Sequence, residues 1–141
     1  MPIRVSVEND VEKIFDPIRK KWLILTPEEW VRQNFLLFMH HVYKYPLSLA
    51  ETEKQFNLFN TIKRADIVFN NRELKPRIIV ECKSPKVKLD NEVFEQVINY
   101  HMAINADFLI VTNGMEHYIF HNDDGKVKFL EEIPEYKEAN N

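Results

Sequence analysis

Apolar side chains recur at helical spacing in two parts of the chain. In residues 27–41 the apolar positions lie three or four residues apart, so one stripe of a helix would face a core. Thr26, Pro27 and Glu29 match the N-cap, the first helical position and the second half of a capping box. A second helix is predicted over residues 91–104, where an aspartate precedes a further apolar stripe.

Short apolar or alternating segments predict β-strands in most of the remaining chain. The clearest pair, residues 64–70 and 77–83, flanks a six-residue loop and predicts a β-hairpin. Two short strands, over residues 3–7 and 21–25, flank a polar stretch and predict an N-terminal ribbon. Further strands are predicted over residues 48–60, 108–112, 117–121 and 126–130.

The order of these elements predicts an α/β fold. Strand 77–83, the second helix and strand 108–112 form a crossover unit, which places the two strands parallel. Because the hairpin is antiparallel, we expect a mixed β-sheet flanked by helices, with an N-terminal β-ribbon. The 141 residues fit one domain, which we divide into N-terminal strands at 1–25, a core at 26–121 and a frayed tail at 135–141.

Composition narrows the class of protein. Hydrophobic residues make up 45% and charged residues 29%, a balance typical of soluble globular domains. No apolar run approaches the roughly 18 residues of a membrane span, and the chain start lacks the apolar core of a signal peptide. Cys82 is the only cysteine, so no disulfide forms within the chain. We therefore expect a cytoplasmic protein without a membrane anchor.

Charge is distributed unevenly along the chain. The net charge of −3 argues mildly against nucleic acid as a partner. Residues 63–88, however, carry eight basic and three acidic side chains, a local net charge of +5. A locally positive face can hold a phosphate backbone, whereas solvated loop lysines would give the same sequence. Both interpretations stay open at this point.

Two acidic residues stand in the otherwise apolar strands of the hairpin. If the hairpin is symmetric about its loop, Asn70 lies opposite Arg77 and Asp66 lies opposite Glu81. Facing carboxylates repel each other unless a cation compensates them, and a divalent metal would compensate both. Lys83 follows Glu81 by two residues and projects from the same face. The alternatives are a structural ion pair between Lys83 and one acid, or a solvated sheet edge.

This arrangement resembles the PD-(D/E)XK nuclease superfamily, with Asp66 as the first acid and Glu81-Cys82-Lys83 as the second half of the motif. More closely, residues 14–136 resemble the N-terminal nuclease domain of type I restriction enzyme R subunits in its stand-alone form. The segments that carry the resemblance are IFDPIRKKWLILTPEEWVRQ, KRADIVF, IVECKSP, EVFEQVINY and VTNG. The resemblance implies a restriction-endonuclease-like fold and metal-dependent hydrolysis of DNA.

The resemblance also implies roles for individual residues. Asp66, Glu81 and the backbone carbonyl of Cys82 would bind Mg²⁺, for which Mn²⁺ would substitute, and Lys83 would orient or deprotonate the attacking water. Two residues match the family's glutamine and tyrosine motif on one face of the second helix, where they would position the lysine or the phosphate: Gln96 and Tyr100. The basic residues expected to contact DNA are Lys63, Arg64, Lys86 and Lys88.

The family often adds an acid from the first helix to the site. We expect Glu28 in this role, as a catalytic residue and candidate metal ligand, because the capping box already accounts for Glu29. The alternative for Glu28 is an ion pair with Arg32 one turn away. Arg32 and Gln33 are candidates for the same cleft. The five histidines show no zinc-ligand spacing, so we interpret all of them as structural or surface residues.

DNA is the expected partner, and a second copy of the chain or a restriction or helicase subunit are candidate protein partners. The sequence contains no GxxxxGK[ST] phosphate-binding loop, so it supplies no ATP-driven motor. The main alternative function is a catalytically silent module that binds nucleic acid or assembles with other subunits. A purely structural domain is the third.

Overall fold

The computed structural model describes residues 2–137. Within them the helices are α1 (Pro27–Tyr43) and α2 (Asn91–His101), and single 3-10 turns occur at Leu47–Leu49 and Met102–Ile104. The strands are β1 (Val5–Glu8), β2 (Val11–Asp16), β3 (Lys21–Ile24), β4 (Ala50–Leu58), β5 (Thr61–Asn70), β6 (Pro76–Cys82), β7 (Phe108–Thr112), β8 (His117–Asp123) and β9 (Lys126–Leu130). None of these helices combines the length and apolar character needed to cross a lipid bilayer.

Strands β4 to β9 form one six-stranded sheet in chain order. Neighbouring strands are antiparallel except for β6 and β7, which are parallel and joined through α2. The predicted α/β fold with a mixed sheet is therefore confirmed. Strands β1 to β3 form a separate antiparallel sheet, which is the predicted N-terminal ribbon.

The two helices cover opposite faces of the large sheet. In β7, Ile110 packs in the cluster of α1, whereas its neighbour Val111 packs in the cluster of α2. Successive side chains of a strand point to opposite faces, so each helix has its own side. Both helix starts follow the sequence signals, since Thr26 Oγ1 accepts the Glu29 N–H at 3.0 Å and Asp90 Oδ1 accepts the Val93 N–H at 3.1 Å.

The hairpin of β5 and β6 has the predicted register over most of its length. Ile67 pairs with Val80, and the next two pairs continue this register. At the loop the register shifts, so that Asn70 pairs with Pro76 and not with Arg77 as predicted. The cause is Asn71, whose N–H and side-chain oxygen both bond to the backbone of Lys75 and tighten the loop. Toward the site, the predicted register holds as far as the pair of Ile67 and Val80, the residues next to Asp66 and Glu81.

The N-terminal ribbon has one more strand than predicted. The stretch that we interpreted as polar and irregular contains β2, the central strand of this sheet. Its Ile14 and Asp16 side chains are fully buried. Asp16 accepts hydrogen bonds from Thr52 Oγ1 at 2.7 Å and from Arg19 Nε at 2.8 Å. The hydrogen bonds of buried Asp16 fix the ribbon to β4. Because Asp16 is charged, the apolar pattern of a strand was not recognised in this part of the sequence.

The expectation of a frayed tail from residue 135 is wrong at Tyr136. Its N–H donates to the Tyr43 carbonyl at 2.8 Å, and its ring lies 5.6 Å from that of Tyr45. Ile133, just before the tail, is buried in the cluster of α1. The core therefore continues beyond β9. Residues 138–141 of the expected tail lie outside the described residues.

Candidate active site

Five of the six predicted catalytic residues meet in one pocket of about 350 Å³. The strands contribute Asp66 from β5, Glu81 from β6 and Lys83 just beyond β6. Helix α2 contributes the predicted pair and a valine between them, and β5 adds one arginine: Gln96, Tyr100, Val97 and Arg64. The pocket forms where α2, after leaving β6, crosses over the ends of the two strands that carry the acids.

The carboxylate of Asp66 is held by two donors. Its Oδ2 accepts the Cys82 N–H at 2.7 Å, and its Oδ1 accepts from Arg32 Nη2 at 3.2 Å. Burial and the nearby negative charge of Glu81 raise the pKa of Asp66 to about 7, although these two donors act in the opposite direction. Asp66 is therefore a carboxyl that lacks sufficient positive charge around it.

The carboxylate of Glu81 has a different environment. Its Oε1 is 3.0 Å from His101 Nε2, and its Oε2 is 3.3 Å from Lys83 Nζ. Burial would raise the pKa of Glu81, but the hydrogen bonds and charges of His101 and Lys83 outweigh burial and lower it. The acid pair thus consists of one carboxyl that ionises readily and one that resists ionisation.

Lys83 is anchored by its backbone, and its side chain is partly exposed. Its N–H donates to the Thr112 carbonyl at 2.7 Å, which anchors it to β7. Its side chain is 32% exposed and lines the pocket while contacting Glu81. The ion pair considered from the sequence is therefore present, together with access to a ligand. The thiol of Cys82 packs on the other side, in the cluster of α1, and burial raises its pKa well above the usual value.

Tyr100 connects α2 to β5. Its hydroxyl accepts the Arg64 N–H at 3.0 Å, and Lys63 Nζ lies 4.3 Å from the centre of its ring. These contacts place two of the four predicted DNA-contacting residues at the edge of the pocket. The other two, Lys86 and Lys88, are exposed in the loop between β6 and α2.

The two neighbouring acids at the start of α1 have different environments. The predicted Glu28 is exposed, and neither Glu28 nor Glu29 lines the pocket. Glu29 is buried, and its carboxylate accepts from Arg32 Nη1 at 2.8 Å and from Gln33 Nε2 at 3.0 Å. The helix cap uses the backbone N–H of Glu29 and leaves its side chain free for these contacts one turn along α1. The ion pair with Arg32 that we considered for Glu28 is made by Glu29.

The chain was compared with models of known protein families. The family model described as the type I restriction enzyme R protein N terminus matches residues 27–134. The chain belongs to this family. The matched region runs from the start of α1 to beyond β9 and contains all the pocket residues, whereas the N-terminal sheet lies outside it. No curated protein and no solved structure gives a significant match.

Two further residues of the R protein N-terminal region contact the site, and the sequence analysis missed both. Glu53 lies in β4 between residues that pair with the two neighbours of Asp66, and its Oε1 is 2.6 Å from Arg32 Nη2. Its backbone has φ of 51°. His101, which bonds to Glu81, is buried four residues after Val97 on the inner stripe of α2. The four-residue spacing from Val97 indicates that His101 faces the sheet. The histidines lack zinc-ligand spacing, however, and this favoured a structural interpretation.

The pocket residues fit a hard cation such as Mg²⁺. Within residues 2–137 no group of three or more His, Cys, Asp or Glu side chains is positioned to hold a metal. Mg²⁺ needs only one or two carboxylates, because waters and substrate oxygens complete its coordination. Each oxygen of Asp66 and Glu81 has a protein donor, and a carboxylate offers about four acceptor positions, so acceptor capacity remains. The raised pKa of Asp66 is what an acid pair short of positive charge should show.

Proposed function

We propose that this chain is a Mg²⁺-dependent nuclease of the PD-(D/E)XK type that hydrolyses DNA phosphodiester bonds at the Asp66–Glu81 pocket. The observation that carries the proposal is the convergence of Asp66, Glu81 and Lys83 in one pocket, where Glu81 and burial raise the pKa of Asp66. Perturbed carboxyls with a specific charged neighbour, lying in a cleft, are typical of functional sites. Membership of the R protein N-terminal family supports a nuclease-like role.

The chain supplies ligands and positioning groups for this reaction. The carboxylates of Asp66 and Glu81 and the carbonyl of Cys82 would hold Mg²⁺, and Mn²⁺ would replace it. The bound metal would activate water and offset negative charge on the phosphate. Lys83 reaches the pocket as a cation and would donate a hydrogen bond to the attacking water or to the phosphate. From α2, Gln96 and Tyr100 would orient the phosphate or the lysine.

A catalytically silent DNA-binding or assembly module is the second candidate, and one observation favours it. All four carboxylate oxygens of Asp66 and Glu81 already have a partner within the protein. Carboxylates that are already paired with protein groups can be retained for stability in a protein that has no catalytic activity. The chain also contains no ATP-binding loop, so translocation along DNA would come from another domain or subunit.

Calorimetric titration with Mg²⁺ and Mn²⁺, together with cleavage of supercoiled plasmid, tests the proposal. We expect the wild type to bind metal and to cleave DNA in Mg²⁺ but not in chelator. Lys83→Ala should still bind metal and lose cleavage, whereas Asp66→Asn should lose both. Lys126→Ala, an exposed lysine of β9, controls for the removal of one charge. If the wild type binds metal but does not cleave DNA, the silent module is favoured. If it binds no metal, both the proposed metal site and the proposed nuclease activity are rejected.

A further inference from the structure

The turn between β4 and β5 contains an aromatic residue in an unfavourable conformation. Leu58 pairs with Thr61, so Phe59 and Asn60 form a two-residue loop. Their φ angles are 49° and 65°, the positive values that a type I′ turn requires at both positions. Asparagine and glycine suit these positions, but a bulky residue there is an outlier. The hairpin therefore holds Phe59 at the turn against its backbone preference.

Packing does not account for Phe59. The residue is 92% exposed, and the nearby Ile62 is 60% exposed. By contrast Phe56, on the same hairpin, packs against a buried cluster that includes Ala65. The hairpin thus buries its apolar side chains near the sheet and exposes two at its tip. Backbone strain and exposed apolar side chains both occur at binding sites, but Leu74 also has a positive φ and is 70% exposed, so these two features alone do not identify a ligand.

The charge around the tip identifies the kind of partner. Residues 54–65 contain three basic side chains and no acidic one, although the whole chain carries 22 acids. The remaining polar side chains of this segment are amides and one hydroxyl. Two of these cations lie near acids just outside the segment, with Lys54 Nζ 3.1 Å from Glu51 Oε1 and Arg64 Nε 3.7 Å from Glu53 Oε2. Lys63 and the exposed Arg64, together with the exposed ring of Phe59, are complementary to an anionic ligand that also presents flat apolar surfaces. Nucleic acid has both properties.

The tip continues into the pocket. Lys63 lies over the ring of Tyr100, and the Arg64 N–H donates to its hydroxyl, so both residues connect the hairpin to α2. Arg64 itself lines the pocket with Asp66. Asp66 lies five residue steps along the strand from Thr61, a length of roughly 17 Å at the usual rise. A strand of nucleic acid lying in the pocket would reach the tip within a few nucleotides.

We propose that the β4–β5 turn is a second nucleic-acid contact, in which Phe59 stacks on an unpaired base of single-stranded DNA and basic residues hold the adjacent phosphates. Those basic residues are Lys54, Lys63 and Arg64. The flat face of an unpaired base is accessible to an aromatic ring. Inserting Phe59 into a duplex would require neighbouring base pairs to unstack, a cost that other proteins offset by wrapping the DNA over a large surface. A tip with two apolar side chains, whose nearest cations lie farther along the hairpin, offers no such surface. The inference rests on the proposed function in that it takes DNA as the ligand of the pocket.

Fluorescence anisotropy with labelled single-stranded DNA, measured in EDTA, tests this contact without metal or cleavage. Phe59→Ala should weaken binding by about five- to 150-fold, the range expected when one aromatic–base stack is removed. Phe59→Trp should bind as the wild type does. Leu74→Ala is the matched control, because Leu74 is also an exposed apolar residue with positive φ in a turn, at the other end of β5. We expect it to leave binding unchanged.

A second variant separates binding from a structural role. Phe59→Asn combined with Asn60→Gly gives the turn its preferred sequence and should raise the melting temperature while weakening single-strand binding. If Phe59 had only a structural role, the double substitution would change the melting temperature but not the affinity for single-stranded DNA. Unchanged affinity of Phe59→Ala would overturn the proposal. So would a loss confined to duplex DNA, or a loss of self-association in sedimentation with DNA binding intact. Because these measurements exclude metal, they stand apart from the cleavage test.

Discussion

The guanidinium of Arg32 lies between two carboxylates, with Nη2 3.2 Å from Asp66 Oδ1 and 2.6 Å from Glu53 Oε1. Its Nη1 bonds to Glu29 at 2.8 Å, so one side chain of α1 contacts three acids. Burial would lower the pKa of Arg32, but the charges of Asp66, Glu29 and Glu53 outweigh burial and raise it. Helix α1 therefore places a permanent cation beside the acid pair.

Removing this cation should destabilise the fold. Arg32→Met leaves three carboxylates around an apolar side chain, and we expect the free energy of unfolding to fall by about 3–5 kcal/mol. Arg32→Lys keeps the charge but not the planar fork of donors, so its loss should be smaller. Urea unfolding of both variants measures this. Arg72→Met, at an exposed loop arginine, should stay within about 0.5 kcal/mol of the wild type. Equal effects of Arg32→Met and Arg72→Met would contradict the role of Arg32.

Replacing Glu29 and replacing its neighbour Glu28 should have different effects on stability and on DNA cleavage. Glu29→Gln removes the charge that holds Arg32, so we expect a loss of about 1–3 kcal/mol in unfolding free energy and slower DNA cleavage. Glu28→Gln changes an exposed side chain and should leave both quantities near wild type. Unfolding curves and initial cleavage rates of the two variants provide the comparison. A larger effect of Glu28→Gln would support the residue that the sequence favoured.

Local signals in the sequence explain which parts of this site were predictable. The helix start at Thr26 depends on residues within one turn, and the pairing near Asp66 follows from hairpin symmetry. Contacts between distant segments leave no such signal. Arg32 and Asp66 are 34 residues apart, and the side chain of Glu29 bonds to Arg32, the residue that makes this distant contact. For this reason the sequence placed Asp66 near Glu81, whereas it did not show that Glu29 is buried and Glu28 exposed on α1.

His101 should set the acidity of Glu81. Replacing it with leucine removes the hydrogen bond that contributes most to lowering the pKa of Glu81, so this pKa should rise. Because Glu81 must be ionised to hold a cation, the acidic limb of the pH–rate profile for DNA cleavage should move to higher pH. His101→Gln, which can still donate a hydrogen bond, should restore part of the shift. A uniformly lower rate with an unchanged profile would indicate that His101 acts through packing alone.

The basic residues around the pocket should determine the salt dependence of DNA binding. Alanine at Lys63, Arg64, Lys86 and Lys88 should reduce the slope of log affinity against log salt by about 0.9 for each phosphate that is no longer neutralised. The matched control replaces four exposed lysines elsewhere, namely Lys20, Lys21, Lys126 and Lys128. Binding isotherms of a DNA duplex in EDTA over a range of salt give both slopes. An equal reduction in the two variants would mean that total charge, and not this surface, attracts DNA.

The raised pKa of Asp66 predicts a pH-dependent stability in the absence of metal. Between the ordinary pKa of about 4 and the folded-state value of about 7, the folded protein retains a proton that the unfolded chain has lost. The contribution of Asp66 to stability is therefore full below pH 4 and is lost as pH rises through 7. Asp66→Asn cannot titrate and should lack this slope. In chelator, the unfolding free energy of the wild type relative to this variant should fall by about 2–4 kcal/mol between pH 4 and pH 8, since one pKa unit corresponds to about 1.36 kcal/mol.

Magnesium should reverse this loss in proteins that retain Asp66. At pH 8 both acids are ionised and repel each other, so a bound cation should stabilise the fold, whereas Asp66→Asn has lost one of its ligands. Asp107→Asn, at an exposed carboxylate paired with Arg77, removes one charge elsewhere and should keep both the pH slope and the magnesium response. Thermal melts of the three proteins at pH 4, 6 and 8, in chelator and in magnesium, measure both effects. A wild type that is insensitive to magnesium at pH 8, with the same pH slope as Asp66→Asn, would show that Arg32 and Lys83 already neutralise the pair and that no metal is needed there.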